Sequence, residues 1–398
     1  MKKEYSVMII KNGLVHSLDK GFYPDTIYIE GTRFSDSESD GTFLDASNCY
    51  VIPGLIDVHF HGGAGADFSD GSLESLQKLG RYELLHGITS ICPASMTLPE
   101  EQLLTICKTA AEYACRFQAL AAAHTPSSPS PCAELVGIHL EGPFISPAKK
   151  GAQKESNIVP PSAALFEKLW EASDGLLKII TMAPETDSAL SFIREFSDRV
   201  HISVGHTAAD YDTASRAFDA GADHLTHLFN AMSPLHHRNP GPIGAAFEHP
   251  EVFVEMICDG VHIHPAVMKA SLQMFGKERI VFISDSMRAT GLPDGHYELG
   301  GQPVDVKGHL ATLPDGTIAA SVTNLMDCVK KAVSVGIPLE TAVRCASYNP
   351  ACSIGVSDRL GSIEVGKQAD CVLLNIDTFE IQAIIKAGQI AFSASHLK

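Results

Sequence analysis

Short apolar segments alternate with amphipathic segments through the middle of this 398-residue chain. Each apolar segment has the length of a strand, and several precede a segment whose apolar residues recur every three or four positions, as in a helix. The predicted strands cover residues 55–59, 88–92, 135–140, 177–182, 200–204, 224–228, 252–258 and 280–284. Predicted helices cover residues 73–85, 100–117, 165–172 and 208–220. This alternation predicts an α/β fold, a TIM-like (β/α)8 barrel.

A doubly wound parallel sheet is the structural alternative, because it is built from the same alternation. Its dinucleotide-binding version carries a GxGxxG motif between a strand and a helix, and no such motif lies there in this sequence.

Both ends of the chain differ from the middle. Short β-like runs occur at residues 6–10, 26–30 and 42–44, and again at 361–365, 371–375 and 380–386. They are separated by residues typical of turns. We therefore expect one small sheet domain built from both termini.

Composition narrows the classes of function. The chain has 30 Lys and Arg against 47 Asp and Glu, a formal net charge of −17. Nucleic-acid binders and anionic-membrane binders need a basic surface, so we expect neither partner. The ten cysteines form no dense framework, and neither a signal peptide nor a long apolar run is evident, which favours a cytoplasmic protein with reduced thiols.

The first candidate site follows the strand at residues 55–59. His59 and His61 are two positions apart, so in a strand both side chains point to one side and can bind one ion. A pair of surface histidines is the ordinary alternative. The apolar strand before the pair and the glycines after it favour a site.

Glu141 ends another apolar strand. An unpaired buried carboxylate is unfavourable, so it needs a partner. A metal ion would satisfy it, and so would a salt bridge to Lys149 or Lys150. This motif alone does not decide between a metal ion and a salt bridge.

His206, His227 and Asp285 end three further strands. His224 lies three positions before His227 and faces the other way in a strand, as a core residue would. Catalytic groups of barrels lie at the carboxyl ends of the strands, so these side chains should meet those of His59 and Glu141 at one rim.

Imidazole and carboxylate without thiolate suit Zn²⁺, Fe²⁺, Mn²⁺ or Co²⁺. Such an ion lowers the pKa of a water molecule toward about 7. Asp285 could then serve as general base toward the water and general acid toward a leaving group. The sequence therefore predicts metal-assisted hydrolysis.

These motifs resemble the amidohydrolase superfamily, and within it the family of N-acetylglucosamine-6-phosphate deacetylases. The similar segments are PGLIDVHFHGG, HLEGPF, KKGA, GHT, HLFNAM, DGVH, SDSMRATGLPDG and ASYNPA with GSIEVGKQAD, which span nearly the whole chain. The resemblance implies a barrel over residues 53–356 and a β-sandwich from residues 1–52 and 357–398. It also implies hydrolysis of the N-acetyl amide of a 6-phosphorylated amino sugar.

For the metal, the resemblance implies one or two divalent ions per subunit, with Zn²⁺ foremost. Glu141, His206 and His227 would hold the principal ion. His59 and His61 would complete a second site that shares Glu141, and Asp285 would be the catalytic acid and base.

For the substrate, the resemblance implies that Asn230, the Ala231 backbone and Arg238 take the phosphate. His262 would contact the sugar. Arg238 would come from a neighbouring subunit, which implies a homodimer or homotetramer. From the residues alone, Arg238 is an ordinary exposed loop arginine. The remaining substrate-contacting positions are Ala152, Gln153, Ile318, Ala319 and Ala320.

Two positions depart from the family pattern. Gln153 stands where a histidine usually follows the KKGT-like segment, so either Gln153 polarises the acetyl carbonyl more weakly or the metal acts alone. Ala320 stands where relatives usually carry glycine, and its methyl group could trim the sugar pocket.

Three other functions remain open. A deacetylase for the galactosamine epimer would share every catalytic residue, and a non-catalytic sugar-phosphate-binding protein would share the fold. A dihydroorotase-like or adenine-deaminase-like enzyme is disfavoured by the HLFNAM segment and Arg238.

Overall fold

The computed structural model describes residues 7–37, 40–123 and 132–394. The strands are β1 (Val7–Ser17), β2 (Gly21–Glu30), β3 (Arg33–Ser35), β4 (Thr42–Asp45), β5 (Cys49–Pro53), β6 (Leu55–Asp57), β7 (Gly62–Gly63), β8 (Ala66–Asp67), β9 (Ile88–Ile91), β10 (Ala94–Ser95), β11 (Glu134–Leu135), β12 (Ile138–Glu141), β13 (Leu177–Met182), β14 (His201–Val204), β15 (His224–Leu225), β16 (Phe253–Ile257), β17 (Ile280–Ile283), β18 (Gly295–Leu299), β19 (Gln302–Lys307), β20 (Leu310–Thr312), β21 (Cys371–Asn375), β22 (Ile381–Lys386) and β23 (Gln389–Ser393).

The α-helices are α1 (Leu73–Leu85), α2 (Glu100–Ala123), α3 (Ala163–Ala172), α4 (Ala189–Phe196), α5 (Tyr211–Asp219), α6 (Gly241–Glu248), α7 (Pro265–Phe275), α8 (Leu325–Ser334), α9 (Leu339–Ala346) and α10 (Tyr348–Ser353). Short 3-10 helices lie at Phe68–Asp70, Pro147–Lys149 and Glu155–Asn157. No helix within the described ranges combines the length and the apolar character needed to cross a bilayer.

The central strands form two parallel sheets. One has the order β11-β9-β6 and the other β10-β12-β13-β14-β15-β16-β17. Backbone hydrogen bonds join the sheets on both sides, from His139 N to Pro93 O at 2.9 Å and from Asp285 N to His59 O at 2.9 Å. This curled parallel arrangement is consistent with a TIM-like barrel, and each of the eight predicted central strands overlaps a strand of the structure.

Alternating side chains of each strand build two cores. In β17, Ile280 and Phe282 pack against the helices. Val281 and Ile283 pack on the opposite face of the strand, against side chains of the other central strands. Helix α1 begins after its N-cap Ser72 and buries one apolar face. Burying each such side chain contributes about 1.5–3 kcal/mol. Because all these strands run parallel, their carboxyl ends open at one rim.

The two ends of the chain share one sheet. Its order is β23-β22-β21-β5-β1-β2-β3, with β4 paired to β1. Strand β21 pairs antiparallel with β5, which leads directly into β6. Strands from both ends of the chain therefore belong to one sheet, as expected, while their division into a separate domain stays a prediction.

The strand predicted at residues 361–365 is wrong. Gly361 and Gly366, with φ of 86° and 89°, turn the chain at both ends of this segment. The chain joins the sheet edge only afterwards, where Phe34 N donates to Lys367 O at 3.0 Å.

Candidate metal centre and active site

Two buried histidines follow strand β6 at the rim. The Nδ1 of His59 lies 2.8 Å from Oε2 of Glu255, and the Nδ1 of His61 lies 3.0 Å from the carbonyl oxygen of Ala94. Both partners are hydrogen-bond acceptors, so in the neutral imidazole each Nδ1 carries the proton. Each Nε2 is then a free lone pair that points into the site.

Glu141, at the end of β12, lies at the centre of the site. Its Oε1 is 3.1 Å from Nε2 of His206, 3.1 Å from Nε2 of His227 and 3.3 Å from Nε2 of His59. Its Oε2 is 3.4 Å from Nε2 of His61. The side chains that the sequence assigned to one rim therefore meet there.

The alternative of a salt bridge between Glu141 and a neighbouring lysine is wrong. Lys150 Nζ donates to Glu155 instead, at 2.6 Å. Lys149 contributes its carbonyl oxygen, which lies 2.8 Å from Nδ1 of His206 and so fixes that imidazole in the same tautomer as His59 and His61.

A divalent cation fits this arrangement. Imidazole nitrogens and carboxylate oxygens, which all accept hydrogen bonds, face one another, and a cation between them would bind both. The imidazole Nε2 lone pairs and the carboxylate oxygens of Glu141 converge, and His59 Nε2 is buried without a hydrogen-bond partner. Two groups of possible ligands share Glu141, one with His59 and His61 and the other with His206 and His227. Within each group, all ligand atoms lie within 4.8 Å of one another. The donor set is therefore complete for one ion or two.

The carboxylates of Asp285 and Glu141 favour a positive charge between the ligands. Burial alone would lower the pKa of His61, but the carboxylates of Asp285 and Glu141 outweigh it and raise the pKa to about 10. Burial alone would raise the pKa of Glu141, yet His206 and His59 hold it well below its usual range. Either protons or metal ions supply the positive charge.

Asp285 follows β17 and points into the same cluster. Its Oδ1 lies 3.3 Å from Nε2 of His61 and 4.0 Å from Nε2 of His59. The residue has a left-handed φ of 49°, which its backbone hydrogen bonds to His59 and Ser321 maintain. Burial opposes ionisation, but His61 and His59 outweigh it and hold the pKa of Asp285 below its usual value, so the group is an ionised carboxylate.

Gln153 lies against Glu141. Its side-chain oxygen accepts from Thr97 N at 2.7 Å, and its Nε2 donates to Oε2 of Glu141. The residue is 3% exposed. The amide that replaces the family histidine therefore already has partners within the site. The neighbouring Ala152 accepts a hydrogen bond from Gln302 through its carbonyl oxygen.

Two of the residues expected to bind the phosphate, Asn230 and Arg238, contact residues close to them in the sequence. Asn230 Nδ2 donates to the carbonyl oxygens of His227 and Leu228, at 3.3 and 3.1 Å, within its own turn. Ala231 has a φ of 48°. Arg238 is exposed, and its Nη1 lies 2.7 Å from Nε2 of the adjacent His237.

The residues expected at the sugar follow strands β16 and β20 along the chain. His262 Nδ1 lies 2.7 Å from Oδ2 of Asp259, which outweighs burial and raises the pKa of the imidazole. Ile318 is 40% exposed, whereas Ala319 is buried. Ala320 has a φ of 54°, a conformation that favours glycine and explains why glycine suits this position.

His224 is outside the metal site, as its spacing predicted. Its Nδ1 lies 2.7 Å from Oδ1 of Asp223, and Oδ2 of the same carboxylate lies 2.6 Å from Nδ1 of His201. Asp223 and His224 lie at the start of β15, so this cluster is at the opposite end of the strands from Glu141.

The sequence reasoning missed Glu255. It lies inside the apolar run at residues 252–258 and is fully buried. A charged residue within an otherwise apolar strand needs a buried partner, and that signal was available in the sequence.

The fold and the site define a metal-dependent hydrolase, and a comparison with protein families agrees. The chain belongs to the amidohydrolase family, whose sequence profile matches residues 50–391.

Particular relatives are N-acetyl-amino-sugar-phosphate deacetylases. The chain is 40% identical over 386 residues to N-acetylglucosamine-6-phosphate deacetylase from Bacillus subtilis (strain 168), covering 96% of this chain and 94% of the relative. It is 36% identical over 365 residues to N-acetylgalactosamine-6-phosphate deacetylase from Escherichia coli O157:H7, covering 91% of each.

A solved structure is similar over the whole chain. It is a mutant of N-acetyl-D-glucosamine-6-phosphate deacetylase from Mycobacterium smegmatis in complex with N-acetyl-D-glucosamine-6-phosphate. The TM-score is 0.89 at 32% sequence identity, covering 98% of this chain and 100% of the other.

Proposed function

We propose that this chain hydrolyses the N-acetyl amide of N-acetylglucosamine 6-phosphate to glucosamine 6-phosphate and acetate. The observation that carries the proposal is the convergence of four imidazole Nε2 atoms on Glu141 with the carboxylate of Asp285 beside them. The similarity to deacetylases over nearly the whole chain supports the substrate.

Glu141, His206 and His227 would hold the principal metal ion. His59 and His61 would hold a second ion together with Glu141, and Zn²⁺ suits this donor set best among Zn²⁺, Fe²⁺, Mn²⁺ and Co²⁺. When bound, such an ion polarises the acetyl carbonyl and makes a water molecule more acidic.

Asp285 would move the protons. Its carboxylate accepts a proton from the attacking water and returns it to the amine nitrogen as the C–N bond breaks. Its Oδ1 faces the cluster, 3.3 Å from Nε2 of His61. Because Gln153 Nε2 is engaged with Glu141, we assign carbonyl polarisation to the metal rather than to Gln153.

The substrate would be bound by both sides of the rim. Asn230 and the Ala231 backbone would bind the phosphate and His262 the sugar, with Ala152, Gln153 and residues 318–320 completing the pocket. Arg238 would reach the phosphate of a neighbouring subunit, since within the described chain its guanidinium contacts only its own loop. The proposed assembly is a homodimer or homotetramer.

The proposed setting is a closed (β/α)8 barrel over residues 53–356. A β-sandwich formed by residues 1–52 and 357–398 would pack against it. We also propose a cytoplasmic location, which the ten free cysteines support.

The test is acetate release from N-acetylglucosamine 6-phosphate and from its galactosamine epimer, with metal analysis of the same sample. We expect faster release from the glucosamine substrate, and chelator should abolish it until metal is restored. Faster release from the galactosamine epimer would favour the second candidate, for which the E. coli relative is the supporting observation. A metal-replete protein that releases no acetate from either would refute both.

A further inference from the structure

We infer that Glu255 is a positioning residue that orients His59 for metal binding and couples the two groups of ligands through one carboxylate. This inference rests on the metal site of the proposed function.

The contacts of Glu255 are specific. It lies in the middle of β16, between the buried Val254 and Met256. Its Oε2 lies 2.8 Å from Nδ1 of His59 and accepts from the backbone N of His227 at 3.2 Å. One carboxylate oxygen therefore serves a ligand from each group.

The contact with His59 decides the tautomer of that imidazole. A carboxylate accepts only, so the proton resides on Nδ1 and the lone pair of Nε2 points at Glu141. A carboxylate behind a metal-binding histidine also makes the imidazole a stronger ligand.

The contact with His227 holds its backbone. His227 has a φ of 27°, a strained conformation that needs support from its surroundings. The hydrogen bond from its N–H to Glu255 provides that support, and thereby fixes the direction of a ligand of the principal ion.

No other described side chain competes for this carboxylate oxygen. The nearby ring of His139 is bonded elsewhere, with Nδ1 3.3 Å from Val58 O and Nε2 2.8 Å from Oγ1 of Thr181. Burying a carboxylate inside an apolar strand is unfavourable unless the carboxylate is paired. In this structure its partners are Nδ1 of His59 and the backbone N–H of His227.

The experiment compares Glu255→Gln and Glu255→Leu with the wild-type protein. Zn²⁺ affinity and stoichiometry are measured by dialysis at fixed free Zn²⁺. The His59 tautomer is read as the protonation of its Nδ1, by ¹⁵N NMR of histidine-labelled, metal-free protein, with His59→Asn assigning the signals. Asp223→Asn is the matched control, because Asp223 also bonds two imidazoles but lies at the opposite end of the strands.

We expect the affinity for the ion that His59 binds to fall about 10- to 100-fold in Glu255→Gln, and further in Glu255→Leu. Nδ1 of His59 should be fully protonated in the wild-type protein and only partly protonated in the Glu255 variants, while Asp223→Asn should leave both readouts unchanged. If Glu255→Leu does not fold, Glu255→Gln decides alone.

A folded Glu255 variant with unchanged Zn²⁺ affinity and an unchanged His59 tautomer would overturn the inference. Failure of the proposed function can be distinguished from failure of this inference. If the proposed function is wrong, the wild-type protein itself binds no metal and releases no acetate. The tautomer measurement in metal-free protein still tests Glu255 in that case.

Discussion

Glu134 connects the barrel to the C-terminal segment of the chain, and its removal should destabilise the protein in a pH-dependent way. At the start of β11, its carboxylate accepts from Arg359 Nη1 at 2.7 Å, Gln368 Nε2 at 2.9 Å and Lys386 Nζ at 3.1 Å. The change Glu134→Gln removes the negative charge and leaves the size of the side chain nearly unchanged.

The magnitude follows from the pKa of Glu134. Burial opposes ionisation, but Lys386 and Arg359 outweigh it and lower the pKa from 4.5 to about 2. At about 1.4 kcal/mol per pKa unit, the charged form stabilises the folded state by about 3 kcal/mol. This is an upper value, since Lys386 keeps its 2.7 Å contact with Asp370 in the variant.

The sign is that of a carboxylate whose folded-state pKa is lowered. The stabilisation is complete above pH 4.5 and is lost as the pH falls from 4.5 to about 2. With an unfolding entropy of about 2.1 cal/mol/K per residue, about 3 kcal/mol corresponds to a Tm lower by about 4 °C at pH 7.

The assay is differential scanning calorimetry of wild-type protein and Glu134→Gln between pH 7 and pH 3. The Tm difference should be largest at neutral pH and shrink below pH 4.5. Glu167→Gln is the control, because its carboxylate also pairs with an arginine, Arg199, at 2.6 Å but is 53% exposed. Its effect on the Tm should be smaller than that of Glu134→Gln, because solvent screens an exposed ion pair. Equal Tm values for Glu134→Gln and wild type at pH 7 would refute the reasoning.

Three further predictions concern the rim. Asp285→Asn should lower turnover about 100- to 10,000-fold while metal content by elemental analysis stays unchanged, and normal turnover would contradict its role. Arg238→Ala should mainly raise KM for the phosphorylated substrate in steady-state assays; an unchanged KM would exclude the phosphate contact. Ala320→Gly should match or exceed wild-type thermal stability because φ is 54° there. Ala319→Gly, at a buried position without positive φ, should lower stability by about 0.4–1 kcal/mol, because glycine gains conformational freedom in the unfolded chain. A less stable Ala320→Gly protein would argue against strain at that position.

The central strands and the metal-ligand candidates were predictable because both follow from local patterns. The eight apolar runs are bounded by polar residues and turns, so each predicted strand overlaps one in the structure. The failure at residues 361–365 is equally local in cause. Ile363 resembles a strand residue in the sequence, but the glycines on both sides take positive φ and turn the chain away.

The sequence by itself determined which side chains end the parallel strands, and hence that His59, Glu141, His206 and Asp285 share a rim. Alternate residues of a strand point to the same face, so the spacing of residues shows which side chains lie together on a strand. Because the strands are parallel, their carboxyl ends lie at the same rim.

Only the tertiary structure decided what those side chains contact. Glu255 is 196 residues from His59, and Gln153 meets Glu141 across a loop, so no local pattern encodes either contact. Tautomers and charges follow from such contacts, because hydrogen bonding and burial depend on neighbours in space rather than in sequence.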